Sequence, residues 1–171
     1  MRIFFISLIV LTLASCSSYH SERNPTELLS TQWALMPVSN YSQSPQAGQQ
    51  LEDLLESILF QRGVSLAQYP REAIPTELPT MASNTATTLQ KAWLAEQDAD
   101  YILSGSVQEW HYKTGLDGEP AVTVTLTLHK KSSNELIWSV TGARSGWGRE
   151  SVGYAAHKVI TTLLADLPLG E

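Results

Sequence analysis

The sequence predicts an α/β domain in which helices pack on a mixed sheet, with the elements in the order βαβαβββα. Three patterns predict this class. Residues 121–129 alternate between apolar and threonine side chains, as a half-buried strand does. Two further segments, one near the start of the domain and one at its end, repeat apolar residues with helical spacing. Helices on either side of a run of strands favour a sheet whose apolar face is covered by those helices.

The first half of the domain is predicted to alternate strands with helices. Residues 33–38 are a short apolar run ended by a turn, which indicates a strand. Ser44 and Pro45 then supply an N-cap and a first helical position, and Gly63 is placed to end the helix. Its apolar face is formed by Ala47, Leu51, Leu54, Leu55, Ile58 and Leu59. The elements that follow are a strand at 64–69, an ordered proline-rich loop at 70–83, and a helix at 85–97 with Leu89, Ala92, Trp93 and Leu94 on its apolar side.

The second half is predicted to hold three successive strands and a final helix. The strands are expected at residues 101–112 and 121–129 and at a third segment marked by Leu136, Trp138 and Val140. The final helix is indicated by one apolar stripe, formed by Val152, Ala155, Ala156, Val159, Ile160, Leu163 and Leu164. Consecutive strands with short turns predict antiparallel pairing in this half of the sheet.

The start of the chain has the form of a lipoprotein signal. Arg2 precedes an apolar run at residues 3–13, which is shorter than the roughly 20 residues that span a bilayer as a helix. The run ends in Leu-Ala-Ser-Cys at the only cysteine, Cys16, and this resembles a bacterial lipobox. We therefore predict that residues 1–15 are a signal peptide and that Cys16 carries a diacylglycerol and a further acyl chain such as palmitate. The alternative is an ordinary secretory signal with an incidental cysteine.

The residues after the cysteine predict where the protein lies. Ser17 is not an aspartate, and by resemblance to lipoprotein sorting rules this points to the outer membrane of a Gram-negative bacterium. Residues 16–31 are polar and without periodicity, which predicts a lipidated tether in front of a domain at residues 32–167. We expect a lipid-anchored protein on the periplasmic face of the outer membrane.

Composition excludes several classes of function. The chain has 11 Lys and Arg and 17 Asp and Glu, a net charge of −6; loss of Arg2 with the signal leaves ten bases against 17 acids, or −7. This balance argues against nucleic-acid binding and favours cationic partners. One cysteine and four widely spaced histidines give no basis for a disulfide within the chain or for a metal site, so we predict no metal and no cofactor. No phosphate-binding loop and no nucleophile with a base is evident, so we expect no enzyme.

Two segments are richer in charged and aromatic residues than a scaffold requires. Residues 115–120 form a predicted hairpin loop with Asp117 and Glu119, which is either a solvated turn or an acidic binding surface. Residues 141–150 place Trp147 between two glycines, with Arg144 and Arg149 nearby. This Trp either caps the sheet or projects outward, with both arginines, toward a membrane or a partner.

Longer stretches resemble one family. They are residues 33–37, 44–48, 109–122, 137–139 and 142–151, of which GLDGEPAV and GARSGWGRES are the most specific. They resemble PelC, the family of outer-membrane lipoproteins of the Pel exopolysaccharide export system. The resemblance covers about residues 33–165.

The resemblance implies a fold and a function. The fold would be similar to the N-terminal domain of TolB. The chain would form a ring, expected as a dodecamer, that cooperates with a PelB-like outer-membrane barrel to secrete a cationic polysaccharide of the biofilm matrix. Asp117 and Glu119 would face the polymer, and Trp147 would face the membrane.

Two other classes of function share parts of this pattern. A lipoprotein activator of a peptidoglycan synthase would have the lipobox and a similar small domain, although such proteins usually carry a longer tether. A curli-type secretion channel would need matched amphipathic strands to build its own barrel, and a partner for residues 121–129 is not evident.

Overall fold

The computed structural model describes residues 17–23, 32–70, 79–115 and 118–167, in which one seven-stranded sheet is flanked by helices. The strands are β1 Ser17–Arg23, β2 Gln32–Leu35, β3 Ser39–Asn40, β4 Ser65–Gln68, β5 Tyr101–Tyr112, β6 Pro120–Lys130 and β7 Leu136–Ser145. The helices are α1 Ala47–Gln61, α2 Pro79–Glu96 and α3 Val152–Ala165. Cys16 and Asp117 lie outside the described residues.

The sheet is mixed, as predicted, and its strand order is β1-β7-β6-β5-β2-β4, with β3 also paired to β5. The strands β1, β7, β6 and β5 pair antiparallel, whereas β2 pairs parallel with β4 and with β5. The connections through α1 and α2 cross the sheet in opposite directions. Because such crossovers are right-handed, they place α1 and α2 on opposite faces. The predicted α/β class is confirmed; similarity to TolB stays a prediction.

The core lies between one face of the sheet and the pair α1 and α3, which contact each other. The predicted alternation in β6 is confirmed: Val122, Val124, Leu126 and Leu128 are fully buried, and the threonines between them lie on the other face. The predicted apolar stripes of α1 and α3 also point into this core. The face of the sheet opposite α3 is lined by hydroxyl side chains, and Thr125 and Thr141 hydrogen-bond across it at 3.0 Å.

Several local predictions were wrong. The N-cap of α1 is Gln46, without a side-chain cap; Ser44 lies two residues earlier, where its backbone carbonyl accepts from the N–H of Ala47. Helix α2 begins at Pro79, inside the predicted loop; proline suits a first helical position because its missing N–H has no helical acceptor there. Its predicted apolar side is largely uncovered, and Trp93 makes an edge contact with Tyr69.

Strand β1 was not predicted at all. Its residues belong to the stretch interpreted as a free tether, yet their backbone pairs with β7 from Ser17, opposite Arg144, to Arg23, opposite Trp138. A polar segment without alternation can still join a sheet edge, because edge pairing depends on backbone hydrogen bonds rather than on side-chain burial. The tether prediction is therefore corrected for residues 17–23.

Candidate membrane-facing end of the sheet

Four chain segments meet at one end of the sheet, which we call the Trp147 end. Strand β5 finishes there and β6 begins there, since Tyr112 pairs with Pro120. Strand β7 finishes beside them, and the N–H of Gly146 donates to the carbonyl of Pro120 at 2.8 Å. The register of β1 puts Ser17 opposite Arg144 at this same end. The start of the predicted mature chain, the acidic hairpin loop and the Trp147 segment are thus neighbours.

The hairpin loop between β5 and β6 is closed by backbone contacts. The N–H of Lys113 donates to the carbonyl of Glu119 at 2.7 Å, and Gly118 has a φ of 52°, which favours glycine. Glu119 is half-buried. The ammonium group of Lys113 donates to the Ser145 hydroxyl at 2.6 Å, which joins the hairpin to the end of β7.

Trp147 lies on a tight turn between β7 and α3, and 59% of it is exposed. The N–H of Glu150 donates to the Trp147 carbonyl at 2.8 Å, and the N–H of Trp147 donates to a Glu150 carboxylate oxygen at 3.3 Å. Helix α3 then starts with Ser151 as its N-cap, whose hydroxyl accepts from the N–H of Tyr154 at 3.1 Å. The indole is therefore held outward by a defined turn rather than by a free loop.

The glycine before Trp147 is required for space. A Cβ on Gly146 would fall against the Glu150 carboxylate and within 2.6 Å of the Pro120 ring. Gly142, earlier in β7, is likewise crowded: a Cβ there would lie 2.8 Å from Leu163 of α3. These two glycines let β7 and the turn that carries Trp147 pack closely against β6 and α3.

Glu150 is the centre of a small ionic network. Its side chain is only 8% exposed and contacts the guanidinium of Arg144 at 3.3 Å and the ammonium of Lys158 at 3.5 Å. Burial by itself would raise the pKa of the Glu150 carboxyl, but the hydrogen bond and charge of Arg144, the N–H of Trp147 and the charge of Lys158 hold the pKa below its usual value. The carboxylate is therefore ionised near neutral pH, where it connects β7, the turn and α3.

The two predicted arginines occupy different surroundings. Arg149 is exposed beside Trp147, as expected. The side chain of Arg144 is 14% exposed and is directed to Glu150, so the expectation that it faces outward was wrong. The reason is register: Arg144 pairs with buried Val122 and therefore lies on the helix-covered face. Sequence reasoning also missed Glu150 as a support, although an acid that follows two arginines in GARSGWGRES was a visible signal.

Acid should weaken this network. Because the pKa of Glu150 is lower in the folded protein, its stabilising contribution is present above the unfolded-state pKa, about 4.3, and is lost as pH falls through the folded-state pKa. We expect Glu150→Gln to lower the free energy of unfolding at about pH 6 and to have a much smaller effect at about pH 3. Thermal unfolding of both proteins across this range measures the difference. Glu135→Gln, at an exposed carboxylate, is the control, and a pH-independent Glu150→Gln effect would contradict the assignment.

The described residues offer little for other chemistry. Within them, no group of three or more His, Cys, Asp or Glu side chains is arranged to hold a metal ion. In the same part of the chain, none of the helices combines the length and apolar character needed to cross a bilayer.

Comparisons with known proteins define the class and then the family. No protein-family model and no curated protein matches the sequence. The fold is shared with a lipoprotein of Neisseria meningitidis, at 14% identity over 79% of this chain and 99% of that one, with a TM-score of 0.55. A PelC dodecamer from Paraburkholderia phytofirmans is similar at 30% identity over 91% of this chain and 100% of that one, with a TM-score of 0.75. A point variant of that protein, also a dodecamer, is similar at 30% identity with a TM-score of 0.72.

The fold is thus that of a small α/β domain found in a bacterial lipoprotein. The identity and the nearly complete coverage go further, and this chain belongs to the PelC family. The resemblance predicted from the GLDGEPAV and GARSGWGRES stretches is confirmed.

Proposed function

We propose that this protein is a non-enzymatic outer-membrane lipoprotein of a Pel export system, which forms an acidic periplasmic ring and guides a cationic exopolysaccharide to the exit pore. The observation that carries the proposal is the 30% identity, over 91% of the chain, to a protein whose solved form is a dodecamer. The expected partners are further copies of this chain, a PelB-like outer-membrane barrel and the polysaccharide itself.

The register of β1 supports a membrane-facing Trp147 end. Cys16 precedes Ser17 by one peptide bond, and Ser17 pairs with Arg144, three residues before Trp147. Extended chain covers about 3.8 Å per residue and paired strands lie about 5 Å apart, so the anchor begins within roughly 20 Å of Trp147. An exposed indole beside an acylated N-terminus suits the boundary between membrane and water. Arg149 is placed to meet lipid headgroups or a partner next to it.

The acidic net charge supports attraction of a cationic polymer by many subunits together rather than by one. One exposed ion pair contributes only about 0–1 kcal/mol, so a single acidic loop would hold a cationic polymer weakly. A closed ring repeats the same surface around one axis and sums the fields of its subunits. The excess of acids over bases in each mature chain, 17 against ten, then attracts a cationic polymer toward a shared opening.

The acidic loop provides the test. We expect the double change Asp117→Lys and Glu119→Lys to cut secretion of the polysaccharide several-fold while folding, anchoring and ring size stay intact, because the field of each loop reverses sign. Secreted polymer is measured in cells, and ring size by light scattering of the full chain in detergent. Asp98→Lys with Asp100→Lys is the matched control, since it makes the same charge change at the opposite end of the sheet. Normal secretion with an intact ring would remove the loop from the mechanism, and equal losses in both variants would make net charge alone responsible.

A further inference from the structure

A groove of about 500 Å³ lies beside the end of β5. One wall is the segment after β3, with Tyr41, and the other is the last part of β5, with Gln108, Glu109, His111 and Tyr112. We call it the Tyr41–Tyr112 groove. Nothing in the arrangement of the core requires these side chains, because they are exposed while their neighbours Val107 and Trp110 are buried.

A bulge in β5 creates the polar floor of the groove. The pairing of β5 with β6 shifts between Val107 and Glu109, so the regular alternation of the strand is interrupted. Gln108 and Glu109 are therefore both exposed, between two buried residues, where an unbroken strand would turn one of them inward. Bulges of this kind re-aim side chains and are frequent beside functional sites.

Neighbouring hydroxyl groups hold the two floor residues in place. The Gln108 amide donates to the Ser106 hydroxyl at 2.8 Å and to the Thr125 hydroxyl at 3.3 Å. The Thr123 hydroxyl donates to Oε2 of Glu109 at 2.6 Å. Among the described residues, no hydrogen-bond donor is found on Oε1 of Glu109, which leaves an acceptor for a ligand. The floor is thus ordered before any ligand arrives, which lowers the entropy cost of binding.

Two tyrosines form the sides. Tyr41 is 74% exposed and Tyr112 is 53% exposed, although aromatic side chains usually bury most of their surface. The Tyr41 backbone is anchored by its N–H, which donates to the Val107 carbonyl at 2.8 Å. The Tyr112 hydroxyl accepts from the N–H of Val152 at 3.3 Å, which ties its ring to the start of α3. Tyr112 pairs with Pro120, in phase with Trp110 opposite Val122, so its side chain starts on the helix-covered face, whereas Glu109, opposite Thr123, starts on the hydroxyl face. The groove therefore spans the edge of β5, with Tyr41 as its more exposed ring.

We infer that the Tyr41–Tyr112 groove binds amino-sugar units of the exported polymer, an inference that rests on the proposed function. The apolar face of a sugar ring packs on a tyrosine ring, and an ammonium group is attracted both by the ring and by the Glu109 carboxylate. Sugar hydroxyls and the N–H of an acetamido group can donate to Oε1 of Gln108, whose two Nε2 hydrogens already bond Ser106 and Thr125. Lys113, close to the end of β5 in the chain, donates to Ser145 and is not among the residues that line the groove, so a cationic ligand meets a floor that carries a carboxylate.

The groove lies next to the hairpin that is proposed to attract the polymer. Tyr112 is the last residue of β5, directly before the acidic hairpin loop. A chain attracted by the loop would therefore be brought to the end of β5, where the groove lies. The loops would attract by long-range charge, whereas the groove would make the short-range contacts that distinguish a sugar from any other cation.

Isothermal titration calorimetry tests the inference with the full-length acylated protein in detergent micelles. The probes are a partly deacetylated chitin hexasaccharide and, as a neutral control, cellohexaose. We expect Tyr41→Ala to weaken binding of the chitin probe about threefold to tenfold, and Tyr41→Phe to retain it. Glu109→Gln keeps the acceptor for Thr123 but removes the charge, so it should weaken binding up to about fivefold at low salt and less at high salt. Phe60→Ala and Glu135→Gln are the matched controls, since Phe60 is 78% exposed and both lie at the opposite end of the sheet.

The outcomes separate this inference from the proposed function. Weaker binding in the Tyr41 and Glu109 variants, with an intact ring and unchanged controls, supports the groove. Wild-type binding in both Tyr41→Ala and Glu109→Gln overturns the groove and leaves the acidic ring in place. Absence of probe binding to the wild-type protein overturns the groove as a sugar site, and normal polysaccharide secretion by the acidic-loop variant would in addition overturn the ring mechanism. A Tyr41→Ala protein with a dissociated ring also overturns the inference, because the tyrosine would then belong to a contact between subunits.

Discussion

Replacing Cys16 by Ser is expected to move the protein almost completely from the outer-membrane fraction to the soluble periplasmic fraction. Acyl chains contribute about 0.8 kcal/mol for each buried methylene, so several chains on one cysteine hold the protein essentially permanently, and Ser accepts none of them. An exposed Trp147 and Arg149 cannot replace such an anchor. Fractionation followed by immunoblotting measures the change, and mass spectrometry of the wild-type N-terminus reports the acyl chains.

If the proposed function holds, the same variant should secrete little polysaccharide, because the released protein would no longer be held at the membrane that contains the exit pore. Ser17→Ala is the matched control: it changes a neighbouring hydroxyl and leaves the cysteine in place. A Cys16→Ser protein that still fractionates with the outer membrane would show that the lipobox interpretation is wrong. A soluble variant that supports normal secretion would agree with the lipobox interpretation but would show that export does not require the anchor.

Two tryptophans of β7 and its following turn are expected to respond in opposite ways to replacement by Ala. Trp138 is 1% exposed and belongs to the core, so Trp138→Ala should lower the free energy of unfolding by about 3–5 kcal/mol. Trp147 is 59% exposed, so Trp147→Ala should lower it by less than about 1 kcal/mol. Chemical denaturation of the two variants measures both values.

Secretion should rank the same variants differently. Trp147→Ala should reduce polysaccharide export strongly at normal protein level, because its indole is proposed to lie against the membrane or a partner. Trp147→Phe should restore part of the export, since it keeps an apolar ring. If Trp147→Ala instead cost as much stability as Trp138→Ala, the outward position of the indole in the folded protein would be contradicted.

Local patterns predicted the elements in which burial alternates regularly. Strand β6 follows its apolar and threonine alternation from Val122 to Leu128, because one side of that strand faces the helices and the other does not. Helices α1 and α3 follow their apolar stripes for the same reason. The start of α2 and the cap of α1 were misplaced, since proline and serine are compatible with both a loop and a helix end.

The candidate site was only partly predictable. The glycine-rich surroundings of Trp147 left open whether it caps the sheet or projects outward with its arginines, and only the family resemblance implied the outward position; Trp147 and Arg149 are both exposed. Arg144 was assigned to the same surface, but strand register places it against Glu150. Register is decided by pairing with residues far away in the chain, and a one-residue shift moves a side chain to the opposite face.

The sequence alone determined the acidic balance, the α/β class and the family, and it predicts the lipid anchor at Cys16, because each of these depends on a local motif, on composition or on the side-chain period of one strand or helix. Only the tertiary structure decided which of these features meet. It pairs Ser17 with Arg144, joins the hairpin to the end of β7 and places a bulge after Val107, which opens the Tyr41–Tyr112 groove. These arrangements follow from backbone pairing between distant segments, and that pairing is favourable only when the whole sheet has assembled and its helices cover the core.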